Sequence, residues 1–405
     1  MATMPPIVPG AGEIPASANA RYRRSRRSEI AVWWREIDRV LLGLVLTLMA
    51  IGAVAVAAAS PASARRLSTA AVRIDDLHFF ALHLRWQALG LIAMFGASFL
   101  PKETARRAGI VLGFAMLVAL MLVPVVGSQV NGARRWLNLG VSLQPSEFLK
   151  PAFAIGLAWI LSWRVRDPNL PVIQLSLGLM GLIAVLLMLQ PDFGSTMLFG
   201  AVWFALMLLS GLEMRRIMMA GGLVIAGIVA AYMFYENARH RIDAFLGGGT
   251  AFDQVDLAQR TLLAGGWTGT GLWLGTKKLS LPEAHTDYIF SVIGEEFGLL
   301  ACGVIVAIYF ALVMRVLMRL IEEEDLFTVL AATGLTAQLG GQAFINILVN
   351  LQLFPSKGMT LPLISYGGSS TIALCLGAGF LLAITRRNPF LQREGLNLPK
   401  IGTRK

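Results

Sequence analysis

Apolar residues along this chain neither alternate nor recur at every third or fourth position. They run on for long stretches and stop at short polar seams. About 20 consecutive apolar residues is the length that carries one α-helix across the hydrocarbon of a bilayer. Such runs fall at residues 41–59, 82–100, 108–126, 146–163, 171–189, 195–212, 217–234, 291–314, 326–350 and 368–385. The pattern predicts an all-α polytopic membrane protein with about ten transmembrane helices. The first run ends in small residues (AAASPASA) that imitate a signal-peptidase site, but its apolar core is too long and too far along the chain for a cleaved leader. It reads as a retained anchor. Residues 1–38, Pro/Ala-rich and then basic, read as a disordered cytoplasmic tail. Residues 39–385 read as the membrane domain and 386–405 as a second cytoplasmic tail.

Composition supports this. Hydrophobic residues make up 56% and charged residues 15%, with a mean hydropathy of +0.66, where soluble domains carry about 25% charged. A soluble enzyme and a disordered scaffold are excluded. The net charge of +11 would suit nucleic acid if it were clustered on one domain, but its distribution argues otherwise. The basic seams (Lys102, Arg106 and Arg107; Arg164 and Arg166; Arg215 and Arg216; Arg315 and Arg319) fall on the side of the two tails. Basic residues are about twice as dense there as on the opposite side, the positive-inside bias, so both termini are expected in the cytoplasm. The opposite side carries one long outer loop, 235–287, with shorter ones at 127–144 and 351–366. Chemistry that needs room belongs there. Cys302 and Cys375 lie inside apolar runs and make no disulfide framework, and the four histidines form no metal-ligand cluster.

The informative residues are polar ones within or beside the apolar runs, because a charge at the bilayer centre costs about 2.5–3.5 kcal/mol on insertion scales. Glu147 and Lys150 share a helix face three residues apart. They read either as a structural ion pair or as a pair beside a polar cavity open to the outer leaflet. Gln338, Gln342, Asn346 and Asn350 form a stripe down the ninth run, suited to gluing helices together or to lining a hydrophilic groove. Arg134 and Arg135, with no acidic neighbour, suit phosphate, and lipid headgroups would explain them equally well. The glycine-rich stretch 265–275 lacks the spacing and the strand–turn–helix setting of a dinucleotide loop. Lys277 and Lys278 behind it suit either a pyrophosphate or plain solvation. Glu283, His285 and Asp287 lie within five residues, and any of them has the chemistry of a general base. Spacing alone favours a different role for Asp287, capping the eighth helix.

Four blocks in order, NGARRWLNLG to LQPSEFLKP (131–151), QPDFGS (190–195), GGWTGTGLWLGTKKLSLPEAHTDYIFSVIGEEFG (265–298) and FPSKGMTLPLISYGGSS (354–370), resemble the SEDS membrane glycosyltransferases. The resemblance runs over roughly residues 40–388. Within the family, LPEAHTDYIFSVIGEE and SKGMTLPLISYGGSS are more similar to the cell-division branch than to the elongation branch. The resemblance implies polymerisation of lipid II, an undecaprenyl-pyrophosphate glycolipid, into β-1,4 glycan strands at the septum of a bacterial inner membrane. It implies a class B penicillin-binding protein and other divisome proteins as partners. By motif, Asp287 becomes the essential acidic residue. Arg134, Arg135, Glu147, Lys150, Asp192 and Lys277 occupy the family's other blocks, and Glu283 and His285 flank the aspartate. Such a transfer needs one base for the incoming hydroxyl and positive charge for the departing diphosphate, not a second carboxylic acid, because pyrophosphate leaves as a stable anion. No resident cofactor is expected; a divalent cation would supplement the basic residues. A lipid II flippase and a non-catalytic division scaffold are the competing readings.

Overall fold

Apolar runs of this length become helices because backbone in hydrocarbon has to satisfy every N–H and C=O within its own segment. The computed structural model describes residues 29–69, 72–130, 133–138, 140, 142–247, 254–356 and 358–387. The basic run at 21–27 and the stretch from 388 onward lie outside the described residues. Within the expected tail, residues Glu29–Glu36 form helix α1, and its Glu36 carboxylate pairs with Arg386 at 3.0 Å. Within that helix Trp33 is buried and Val32 half-buried, whereas Ile30 and Trp34 are exposed, so one side of the segment is packed as a purely irregular tail would not be.

Among the described residues ten long helices follow: α2 (Arg39–Leu67), α3 (His78–Ser98), α4 (Lys102–Val126), α5 (Pro145–Ser162), α6 (Val172–Met188), α7 (Phe193–Leu209), α8 (Met214–Phe234), α11 (Ile289–Leu320), α12 (Leu326–Asn350) and α13 (Gly368–Ile384). Their positions follow the ten apolar runs closely. Six are long and apolar enough to cross a membrane, and α6, α7 and α13 are shorter apolar helices. Helix α12 has the length, but its glutamines and threonines lower its hydropathy. Exposed Met218, Met219, Ile225, Val229 and Phe234 on α8 make an apolar surface that suits lipid. Helix α5 is different: Ala152, Phe153, Ala154 and Ile155 are all buried in succession, so it is enclosed on every side, packed by α4, α12, α13 and α7.

The connections alternate between two ends of the bundle. Lys102 pairs with Asp325 at 2.7 Å and Arg164 donates to the Ser210 carbonyl at one end. At the other, Arg135 meets Gln190, Arg66 meets Ser280 and Arg241 meets Ser356.

The helical fold class holds, with one local addition. The loop at 127–144 folds as a small antiparallel sheet, β1 (Ser128–Val130), β2 (Ala133–Asn138) and β3 (Ser142–Leu143), with Gln129 opposite Arg134 and Leu137 opposite Leu143. The long outer connection also has structure, with α9 (Glu236–Leu246) and α10 (Gln254–Ala264).

Helix α11 is broken at Gly298, whose φ of 83° and ψ of 172° leave the helical region. The backbone groups this frees are satisfied by the glycine-rich segment. Thr270 N donates to Glu295 O (2.8 Å) and Gly271 N to Glu296 O (3.0 Å), while Leu299 N donates to Gly266 O (2.9 Å). A Cβ on Gly269 would stand 2.2 Å from Glu296 O, which explains the glycine there. These glycines therefore approach the protein's own helix, not a ligand.

Candidate active site

Asp287 sits in the last turn before α11. The helix begins from Tyr288 with no side-chain cap, so the capping role that spacing favoured is not the one Asp287 takes. Its backbone is clamped, together with that of its two predecessors. The His285 carbonyl accepts from Tyr366 N (2.9 Å) and the Thr286 carbonyl from Ser365 Oγ (2.6 Å). The Asp287 carbonyl accepts from Asn346 Nδ2 (2.8 Å) and Asn350 Nδ2 (3.2 Å). Asn346 also reaches Met359 O at 2.6 Å, and Asn350 Oδ1 takes Ser291 Oγ at 2.7 Å. The polar stripe of α12 is thus glue, as helix amides often are, but what it glues is the backbone of loops.

Gln342 extends the network. Its Nε2 donates to Thr360 O at 3.0 Å and its Oε1 accepts from Lys150 Nζ at 3.3 Å. Lys150 is paired with Glu147 at 2.7 Å, both buried. Neutralisation within the pair explains how two charges stay at this depth.

The Asp287 side chain lies half-buried in a small crevice with Tyr288, Ile345, Val349 and Gly358. Among the described residues its carboxylate oxygens accept no hydrogen bond. Burial, with help from the negative charges of Glu283 and Glu147, raises its pKa to about 7 against the pull of Arg241 and Arg135. A carboxylate poised near neutrality can take a proton from an alcohol in the transition state.

The neighbours have other tasks. His285 is wedged between Phe79 (4.4 Å) and Tyr366 (5.2 Å), with Nδ1 on Ser63 Oγ at 2.7 Å. Burial lowers its pKa to about 4, with Glu283 opposing, so it stays neutral and packs the loop. Glu283 is exposed at φ 51°, and its Oε2 accepts from Thr286 Oγ1 at 2.8 Å. Arg135 spends two donors on the carbonyls of Gln190 (3.0 Å) and Pro191, while exposed Arg134 donates to Pro124 O at 3.3 Å. The lysines separate. Lys278 is buried, bound to Glu296 and to Ala58 O (2.8 Å), which corrects the reading of a solvated pair. Lys277 is exposed, with its backbone N on Glu295 Oε1 at 2.6 Å.

One residue escaped the sequence reading. Arg241 on α9 is half-buried, donates from Nη1 to Ser356 O at 3.1 Å, and is the leading cation acting on Asp287. The available signal was the Arg-His-Arg run at 239–241 within the one long outer connection.

The family model FTSW_RODA_SPOVE, described as "Cell cycle protein", matches residues 38–389. The "Probable peptidoglycan glycosyltransferase FtsW" of Caulobacter vibrioides is 35% identical over 377 residues, covering 92% of this chain and 95% of the relative. The protein of the same name from Xanthomonas oryzae is 37% identical, covering 86% and 72%. Among solved structures, one titled "Structural coordination of polymerization and crosslinking by a peptidoglycan synthase complex" aligns at a TM-score of 0.71 and 28% identity, over 86% of this chain and 97% of its own. The Thermus thermophilus rod shape determining protein RodA aligns at 0.62 and 26%, over 87% and 97%.

Proposed function

Because this chain belongs to the FtsW/RodA/SpoVE family, we propose that it is a peptidoglycan glycosyltransferase of the septal type, polymerising lipid II in the bacterial inner membrane. The acceptor's sugar hydroxyl attacks the anomeric carbon of the donor. Asp287 takes the hydroxyl proton, the new glycosidic C–O bond forms with inversion, and the electron pair of the broken anomeric C–O bond leaves with undecaprenyl pyrophosphate. The observation that carries this reading is a carboxylate in a segment clamped at the carbonyls of His285, Thr286 and Asp287, while among the described residues its own oxygens accept no hydrogen bond and its pKa stands near 7. A catalytic group has to be rigid in position yet free to react.

The ten long helices span the membrane, both termini are cytoplasmic, and Asp287 opens on the outer side. A class B penicillin-binding protein and other division proteins are the partners. Among the described residues no group of three or more His, Cys, Asp or Glu side chains converges, so a divalent cation would be held chiefly by oxygens of the diphosphate.

The test is polymerisation of lipid II by the purified full chain with its penicillin-binding partner. Asp287→Asn and Asp287→Ala are expected to lower glycan yield by about 100-fold or more. Full polymer from both variants would overturn the base. Headgroup translocation by the wild type without any glycan would point to the flippase instead.

A further inference from the structure

The departing diphosphate needs cations, and the two lysines and two arginines that the sequence offers for it are each committed or displaced. Lys277 is exposed on a segment whose backbone is fixed to Glu295, and Lys278 is consumed by Glu296. Arg135 holds two loop carbonyls, and Arg134, engaged through Nη1 on Pro124 O, is exposed and lines no part of the cleft that holds Arg241. Arg241 is differently placed. Only Nη1 is engaged, on the Ser356 carbonyl, and among the described residues it has no carboxylate partner. Ser356 in turn shares a hydrogen bond of 3.2 Å between its Oγ and the Tyr288 hydroxyl, one residue from Asp287. Arg241 also lines a cleft of about 430 Å³ with His240, Gln254, Asp256, Gln352, Phe354 and Ser356, in which the Asp256 carboxylate is paired with Arg260 at 2.9 Å. That volume lies within the range of about 300–1,000 Å³ usual for small-molecule sites.

We propose that Arg241 is the residue that grips the diphosphate of the glycolipid donor from the wall of this cleft, with the free side of its guanidinium turned to the phosphoryl oxygens. A planar fork with unspent donors matches two phosphate oxygens at once, which an ammonium does not. As the anomeric C–O bond breaks and its electron pair passes to the diphosphate, the added negative charge develops where the guanidinium already points, so the contact strengthens in the transition state. The same cation faces Asp287 along with Arg135, against Glu283 and Glu147. Arg241 therefore serves both ends of the transfer, and the inference rests on the glycosyltransferase reading above.

The experiment compares wild type, Arg241→Gln and Arg241→Lys as full chains with the penicillin-binding partner. It records lipid II polymerisation against pH, with inorganic pyrophosphate as the inhibitor probe. The Gln variant is expected to lose about 100-fold in kcat and to need at least about tenfold more pyrophosphate for half inhibition. Its acid limb moves to higher pH, because Asp287 loses its leading cationic neighbour. The Lys variant keeps the charge, so its limb stays near wild type while kcat recovers only in part. It also controls for folding. A Gln variant with wild-type kcat and unchanged inhibition overturns the proposal. So does one that is slow but unmoved in both pH limb and inhibition, since that marks a merely structural arginine. A wild type that makes no glycan sinks the glycosyltransferase reading itself, and this inference with it.

Discussion

At the scale of single residues, Asp287 illustrates how environment decides role. Its position in an HTD turn reads as a helix cap, yet the cap is absent and burial lifts its pKa to about 7. A base has to be ionised, so polymerisation is expected to rise with pH through about 7 and to fall on acidification, measured as a pH–rate profile. Stability runs the other way. The folded protein keeps a proton that the unfolded chain releases near the ordinary carboxylate value, so this group favours the fold at low pH and that contribution is lost as pH rises through about 7. Asp287→Asn removes the ionisation, and at pH 8 it should unfold at or above the wild-type temperature while its glycan yield is about 100-fold or more below wild type. Heat denaturation that is clearly lower in the variant would contradict this. His285 was an equal candidate by chemistry, and only its enclosure between Phe79 and Tyr366 removes it as the base.

At the scale of elements, the glycine-rich segment and the broken α11 form one unit. Glu295 and Glu296 are buried in the helix and turn their carboxylates to the segment's backbone: Lys277 N and Lys278 N on Glu295, Gly275 N and Trp273 N on Glu296. Lys278 neutralises Glu296 inside this contact. Lys278→Met leaves that carboxylate buried without its partner and is expected to cost about 3–5 kcal/mol. Lys277→Ala, at an exposed side chain, should stay within about 0.5 kcal/mol of wild type. Thermal unfolding in detergent distinguishes them, and equal effects would refute the division of labour. The sequence showed two adjacent lysines and several glycines. Nothing in their spacing revealed that the binding partner was the next helix.

At the scale of the whole molecule, the alternation of connections between two ends sets the topology. A cysteine at Leu353, exposed at the Asp287 end, should react in whole spheroplasts with a membrane-impermeant maleimide, and one at Glu324, beside the Lys102–Asp325 contact, only after lysis. The native Cys302 and Cys375 are buried and leave the background low. Labelling at both positions, or in the reverse order, would break the proposed orientation. Enclosed α5 carries Glu147 and Lys150 into the centre of this arrangement. There the pair braces Gln342, and through it the loop beside Asp287.

The ten long helices among the described residues, and their order, were legible in the chain alone, because the length of an apolar run is a local quantity. The aspartate of the HTD turn stood out only through its resemblance to a family motif, since spacing by itself favoured a helix cap. The sheet at 128–143, the break at Gly298 and the place of Arg241 were not legible there. Each depends on which backbone groups or charges meet across the fold: Arg241 and Ser356 are 115 positions apart, and hydropathy along the chain carries no record of such a meeting. The working pKa of Asp287 belongs to the same class, since burial, Glu283, Glu147, Arg241 and Arg135 fix it together only once the helices have packed.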